Sequence, residues 1–296
     1  MYALSFGELL WDIIRGNAYI GGAPFNLAGH LAKMGLQSFL ISSVGSDDLG
    51  MRALEEAKKY NVYTSFIKVQ QDFPTGTVEV SIDSAGHPEY IIHENTAWDN
   101  IVLSSSQLKE LEEKEWMVFS FGTLAQRTEN NRKILKVLFR KVRAKHTFYD
   151  VNIRQNYYSL ELIEKSLSKS SIVKLNSEEV VVVSDLLYNK KLTEREFTER
   201  ICGDYDVFIV CITRGARGCA VHSKGDFMEV PGISVDVADT VGAGDSFSAG
   251  FLFALLSGKS LFEAAEFAVE VGAFVASRSG AIPEYSSDLK ERINNL

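Results

Sequence analysis

Asp239-Thr240-Val241-Gly242-Ala243-Gly244-Asp245-Ser246-Phe247 is the stretch from which the rest of the chain can be read. Before it, Val230 to Val237 is rich in alternating β-branched residues. After it, Phe247, Phe251 and Leu255 recur at every fourth position, so the spacing predicts a loop feeding a helix. Two glycines separated by a small alanine let successive backbone N–H groups converge on an oxyanion, and the helix that follows adds its positive end. Asp245 stands directly behind that pocket. An acid among donors built for phosphate repels the anion, yet it suits a base that takes the proton from an attacking hydroxyl.

With 296 residues the chain can form one large α/β domain or two modest ones. Hydrophobic residues make up 46% and charged residues 24%, the balance of an ordinary globular protein. A formal net charge of -8 argues against nucleic acid or anionic membrane as the main partner and favours small-molecule chemistry. Cys202, Cys211 and Cys219 form no C-x-x-C pair and leave an odd count, which argues against a disulfide framework and a structural zinc site and points to a reducing cytoplasm. Glu8 and Asp12 interrupt the first apolar segment, no basic leader precedes it, and no apolar run approaches the ~20 residues of a membrane span. Neither export nor anchoring is expected.

Ala3 to Ile14 reads as one buried strand, which puts Asp12 at the C-terminal end where α/β sheets collect ligands; the same Asp could simply sit in a surface turn. Gly21-Gly22-Ala23-Pro24-Phe25-Asn26 opens a helix marked by Leu27 and Leu31, with Asn26 in its first turn. The glycines and proline could make no more than that turn, or Asp12 and Asn26 could together bind vicinal sugar hydroxyls. Ser38 to Val44 is expected as a strand, and Asp47 or Asp48 as the N-cap of the helix after it. Val62 to Val69, Thr75 to Asp83 and Glu89 to His93 read as an antiparallel ribbon with turns at Pro74-Thr75-Gly76 and Ser84-Ala85-Gly86. Such a ribbon is a candidate lid. From about Ser105 a βα rhythm resumes, with strands at 116–120, 147–151, 172–175 and 207–213, a hairpin within 220–237, and helices at 246–256 and 261–276. Nothing divides the chain, so a single domain over 1–296 with an inserted lid is expected.

Gly215-Ala216-Arg217-Gly218 follows an apolar strand, and with the Thr213 hydroxyl it could line phosphates or be only a tight turn. Asn176, Glu178 and Glu179 could hold Mg2+ through water or merely suit a helix dipole. There is no G-x-x-x-x-G-K-[ST], and Phe247 occupies the third glycine position of a dinucleotide fingerprint. The chain is therefore not a P-loop enzyme and lacks a dinucleotide fingerprint, and a dehydrogenase reading fails on the missing third glycine.

Together with Asp150-Val151-Asn152-Ile153-Arg154, these motifs resemble, in order and spacing along nearly the whole chain, the PfkB (ribokinase-like) carbohydrate kinases. Phe6-Gly7-Glu8-Leu9-Leu10-Trp11-Asp12, Ala97-Trp98-Asp99 and Phe121-Gly122-Thr123-Leu124-Ala125 look most like bacterial fructokinases. The resemblance implies a ribokinase-like (Rossmann-like) three-layer α/β/α sandwich with a mainly parallel sheet and a small β lid, formed by approximately 12–21 and 62–100. It implies ATP-dependent phosphorylation of a sugar's primary hydroxyl, most like fructose to fructose 6-phosphate. Asp245 would be the base, and Gly242, Ala243 and Gly244 the anion hole. Asp12, Gly22, Asn26, Trp98 and Arg154 would bind the sugar, and Asn176, Thr213, Gly215 and Gly218 the ATP. Glu179 would organise Mg2+ through water, and Asp239, with carbonyls of the Ser277 to Ala281 loop, a monovalent cation such as K+. The partners implied are sugar and ATP; separately, a β lid would leave apolar strand faces and edges exposed in a monomer, so a dimer through the lids is expected. Val151 stands where the family usually has Pro, and Val269 where Asn is common. A kinase for 2-keto-3-deoxygluconate, ribose or a nucleoside, and a non-catalytic sugar-binding protein, are the rival readings.

Overall fold

The computed structural model describes residues 1–14, 16–82 and 88–296. The turn expected at Ser84-Ala85-Gly86 lies outside the described residues. The chain forms a mostly parallel central sheet, a small second sheet and helices on both sides. It divides into two compact units, Met1–Trp116 with Ala125–Arg143, and Met117–Leu124 with Ala144–Leu296.

In the first unit, β1 (Tyr2–Phe6) is followed by β2 (Leu10–Ile14), β3 (Asn17–Gly21), α1 (Ala23–Lys33), β4 (Gln37–Gly45) and α2 (Asp48–Lys59). Then come β5 (Val62–Tyr63), β6 (Ile67–Gln70), β7 (Gly76–Ile82), β8 (Pro88–Ile92), α3 (Ser105–Glu113) and α4 (Glu129–Lys141). β1 and β4 pair in parallel, and β5 and β6 pair in parallel with β4. Phe39 anchors their core, with the rings of Phe66 and Trp116 at 5.7 and 5.3 Å. Asp47 caps α2 through Gly50, as its position suggested.

The small sheet runs β3-β2-β7-β8, with β2 antiparallel to β3 and parallel to β7. Two expectations change here. Ala3 to Ile14 is two strands in different sheets, because the chain leaves β1 at Gly7, so Asp12 belongs to the small sheet. Residues 62–70 extend the parallel sheet beside β4 and do not join the ribbon, since Val62, Phe66 and Ile67 are buried in the main core. The apolar runs were read correctly as strands; which sheet receives them is a long-range choice that a local pattern does not encode.

Residues 93–101, after β8, are clamped by a buried ion pair. Arg127 Nε and Asp99 Oδ1 lie 2.6 Å apart, with the side chains 4% and 1% exposed. The same guanidinium donates to the His93 carbonyl at 2.6 Å and lies 4.2 Å over the Trp98 ring. Asn131 reaches the Trp98 and Ala125 carbonyls and accepts from the Ile101 N–H.

The second unit carries β9 (Glu115–Gly122), β10 (Arg143–Asp150), α5 (Leu160–Leu167), β11 (Ile172–Asn176), α6 (Ser177–Tyr188) and α7 (Glu194–Tyr205). It continues with β12 (Ile209–Thr213), β13 (Cys219–Ser223), β14 (Asp226–Val230), α8 (Ala243–Leu256), α9 (Leu261–Ala276) and α10 (Ser287–Asn294). β10, β11 and β12 are parallel, while β13 and β14 add an antiparallel hairpin. β11 and β12 are buried along nearly their whole length, which explains their continuous apolar sequence. α8 is buried on nearly all sides and packs on α9. The extended run expected to Val237 stops at Val230, where Pro231 removes a backbone donor. α8 starts at Ala243, three residues earlier than Ser246, and α10 follows the two helices expected to close the chain. Among the described residues no helix is long and apolar enough to cross a membrane.

Replacing Arg127 with Met is expected to leave the Asp99 carboxylate buried without its guanidinium, at a cost of about 3–5 kcal/mol. A lowered urea midpoint, followed by circular dichroism, checks this.

Candidate active site

The loop into α8 is built by backbone geometry. Gly242 takes a φ of +77°, and a Cβ there would stand 2.6 Å from the Ala281 carbonyl oxygen. No L-residue fits both conditions. Asp239 fastens the loop by accepting from the N–H groups of Val241 at 3.0 Å and Gly280 at 3.3 Å. The structure thus brings Asp239 against the 277–281 loop, the neighbour that the resemblance implied for it.

Helix starts in this chain fall into two kinds. α2 to α7, α9 and α10 each have a side-chain cap on a first-turn N–H group. α1 and α8 start at Gly22 and Gly242 and have none. These two uncapped starts are the two glycine motifs singled out in the sequence. An uncapped start leaves first-turn N–H groups without a side-chain acceptor, although the Ala243 N–H turns back to the Thr240 carbonyl at 3.3 Å and Pro24 removes one donor from α1, and the helix dipole adds partial positive charge. Asp245 lies in the first turn of α8.

Beneath that turn stands a residue the sequence reading did not single out. Lys174 of β11 places Nζ 3.3 Å from where a Cβ on Gly244 would be, and 3.1 and 3.2 Å from the two Asp150 carboxylate oxygens. Register sets this up, since Asp150 of β10 and Cys211 of β12 flank Lys174 on the neighbouring parallel strands. Burial by itself would push the Lys174 pKa down, but the charges of Asp150, Glu179 and Asp245 outweigh it and hold the ammonium above its usual value. The available signal was a lone Lys inside an otherwise apolar strand.

Asn176 ends β11 opposite Thr213 at the end of β12, so these two expected ATP residues are neighbours. Asn176 and Glu179 form a capping box. One Glu179 oxygen accepts from the Asn176 N–H and the other from the Ile153 N–H, each at 2.8 Å. Burial nonetheless raises the Glu179 pKa, opposed by Lys174 and reinforced by Asp150. After Thr213 the chain turns at Gly215–Arg217, and Gly218 packs against the Val230 carbonyl. Arg214 locks this turn by pairing with Glu194 and Glu229, while Glu194 also accepts from Ser177 of α6. Thr123 binds the Tyr149 hydroxyl at 2.7 Å and the Val151 carbonyl. Arg154 is exposed.

In the first unit, Asp12 lies on β2 with its carboxylate oxygen 2.5 Å from where a Cβ on Gly21 would be. Gly22 has a φ of +111° and no room for a Cβ, 2.3 Å from the Glu8 carbonyl oxygen. Asn26 is buried in the first turn of α1. Trp98 is fully buried, with its indole edge against Gly76 and Arg127 over its face. It props the small sheet from behind.

Among the described residues no three His, Cys, Asp or Glu side chains form a metal cluster. Glu179 already accepts two backbone hydrogen bonds, so what remains fits a hydrated Mg2+ held through water, an ion that keeps several of its waters. Asp239 and the carbonyl-bearing 277–281 loop fit a cation that takes oxygen ligands.

Gly242→Ala is expected to destabilise the protein more than Gly258→Ala. Both glycines have positive φ, but only Gly242 has a neighbour within 4 Å of an added Cβ. The φ penalty alone is about 1–2 kcal/mol, and thermal unfolding of the pair isolates the collision.

The pfkB family carbohydrate kinase model matches residues 2–288. An uncharacterized sugar kinase of Pyrococcus horikoshii is 29% identical over 94% of this chain and 90% of its own length. Fructokinase-2 of Oryza sativa subsp. japonica is 25% identical over 95% of this chain and 89% of its own. Among solved structures, fructokinase with bound ATP from Xylella fastidiosa superposes with a TM-score of 0.87 at 20% identity, covering 99% of this chain and 98% of that one. The chain belongs to the pfkB family of carbohydrate kinases.

Proposed function

We propose that the protein is an ATP-dependent sugar kinase acting on a primary hydroxyl, with fructose as acceptor and fructose 6-phosphate as product. The observation that carries the reading is the first turn of α8, an uncapped set of backbone donors with Asp245 among them. Asp245 takes the hydroxyl proton as the sugar oxygen bonds to the γ-phosphorus and the bond to the ADP oxygen breaks. The N–H groups of Gly242, Ala243 and Gly244 meet the charge on the transferring oxygens.

Thr213, Gly215, Gly218 and Asn176 line ATP in this reading. Glu179 holds Mg2+ through water, an ion that neutralises phosphate charge when bound, and Asp239 takes K+. Asp12, Gly22, Asn26 and Arg154 bind the sugar, and Trp98 serves them by holding Gly76 in place. Fructose is favoured by the segments around Asp12, Trp98 and Thr123 and by the fructokinases among the relatives.

We further infer a cytoplasmic homodimer docked through the small sheet. One cross-strand row there reads Ala18, Ile13, Glu79 and Ile91, and Ile91 is 45% exposed. A monomeric mass at micromolar concentration would overturn the dimer.

ATP turnover with a panel of ketoses, aldoses, nucleosides and 2-keto-3-deoxygluconate is expected to be fastest with fructose. Asp245→Asn is expected to lose at least ~10²-fold in kcat with its fold intact. Equal turnover would remove Asp245 as the base, and binding of sugar without turnover in the parent protein would remove the kinase reading.

A further inference from the structure

The ammonium of Lys174 is buried, points at the turn that carries the proposed base, and is secured in two ways. Its side chain is held by both oxygens of Asp150. Its backbone carbonyl accepts from the Val151 N–H at 2.9 Å, a bond that proline at position 151 could not make. The residue usual in the family is therefore replaced here by one that extends the β10–β11 ladder past Asp150.

We propose that Lys174, tethered by Asp150, is a positioning residue that keeps the Asp245 carboxylate ionised and aimed during transfer. This rests on the reading of Asp245 as base.

Among the described residues, four elements bring titratable groups to Lys174. β10 contributes Asp150, β12 the buried Cys211 thiol, α6 contributes Glu179 and α8 contributes Asp245. α9 places Gly272 against the start of α8, and its Glu270 pairs with Arg292. Three carboxylates therefore act on one cation, Asp150 by direct contact and Glu179 and Asp245 through their charge. Two of them have structural work: Asp150 holds Nζ, and Glu179 accepts two backbone N–H groups. Asp245 alone sits in the turn proposed to meet the reacting oxygens. An opposite charge within about 4–6 Å lowers a carboxylate's pKa by ~1–3 units, which extends its working range downward in pH.

The test is kcat against pH, at saturating fructose and MgATP, for the parent, Lys174→Met, Lys174→Arg and Asp150→Asn, beside Asp245→Asn. In Lys174→Met the acid limb is expected to move up by about one pH unit or more. Lys174→Arg is expected to restore it. Asp150→Asn, which removes a negative charge and frees the ammonium, is expected to move the limb down. If Lys174→Met does not fold, Asp150→Asn decides: a limb that rises or stays overturns the proposal. A Lys174→Met enzyme that is slower at every pH with an unmoved limb overturns it too, and marks the pair as strand glue only. Full activity in Asp245→Asn would instead sink the base assignment itself.

Discussion

The second unit depends on one constraint, that α8 must begin without a side-chain cap. A helix start that bonds its own first-turn donors is cheaper to form, and eight of the helices among the described residues do so. α8 forgoes that gain, which is typically ~1 kcal/mol. The start is therefore stabilised from outside. Ala281 closes over Gly242, Asp239 accepts from both sides of the loop, and α9 packs along the whole helix. The burial of nearly every residue of α8 follows, because a helix that cannot rely on its cap must rely on packing.

Charge is balanced in the same economical way. A lysine buried under a helix N-terminus faces the positive end of that dipole, an unfavourable placement for a cation unless acids surround it. Asp150, Glu179 and Asp245 supply them. The cluster carries more negative than positive charge, so it accommodates further cationic charge more readily than a second anion. That is the condition under which a phosphoryl group arrives best with its own counter-ion.

Much of this was legible in the sequence for a physical reason. A glycine loop opening a helix, an Asp in a helix's first turn and an Asp N-cap are local requirements, so Gly22, Gly242 and Asp245 could be placed from the sequence and the N-cap narrowed to Asp47 or Asp48. What was not legible depends on pairing between distant segments. Nothing near Gly7 announces that β2 leaves for another sheet, and nothing near Val62 announces that it stays with β4. Lys174 became visible only through register, which sets it between Asp150 and Cys211. Trp98 looked like a ligand residue beside Asp99, but the Arg127 ion pair that buries it comes from a segment about thirty residues away.

The small sheet shows how far such non-local pairing governs the proposed sugar site. β2 pairs in parallel with β7, Asp12 opposite Val78, although α1, β4, α2, β5 and β6 lie between them in the chain. A parallel pair needs a crossover, and here the crossover is most of the first unit's own core. Closing that loop costs entropy that packing along it must offset, and Phe39 and Phe66, both within the crossover, meet at 5.7 Å. Gly76, where β7 begins, is also where Trp98 packs, and Arg127 holds Trp98. The Arg127–Asp99 pair thus supports, through Trp98, the start of the strand that lies beside β2, from a segment outside the small sheet.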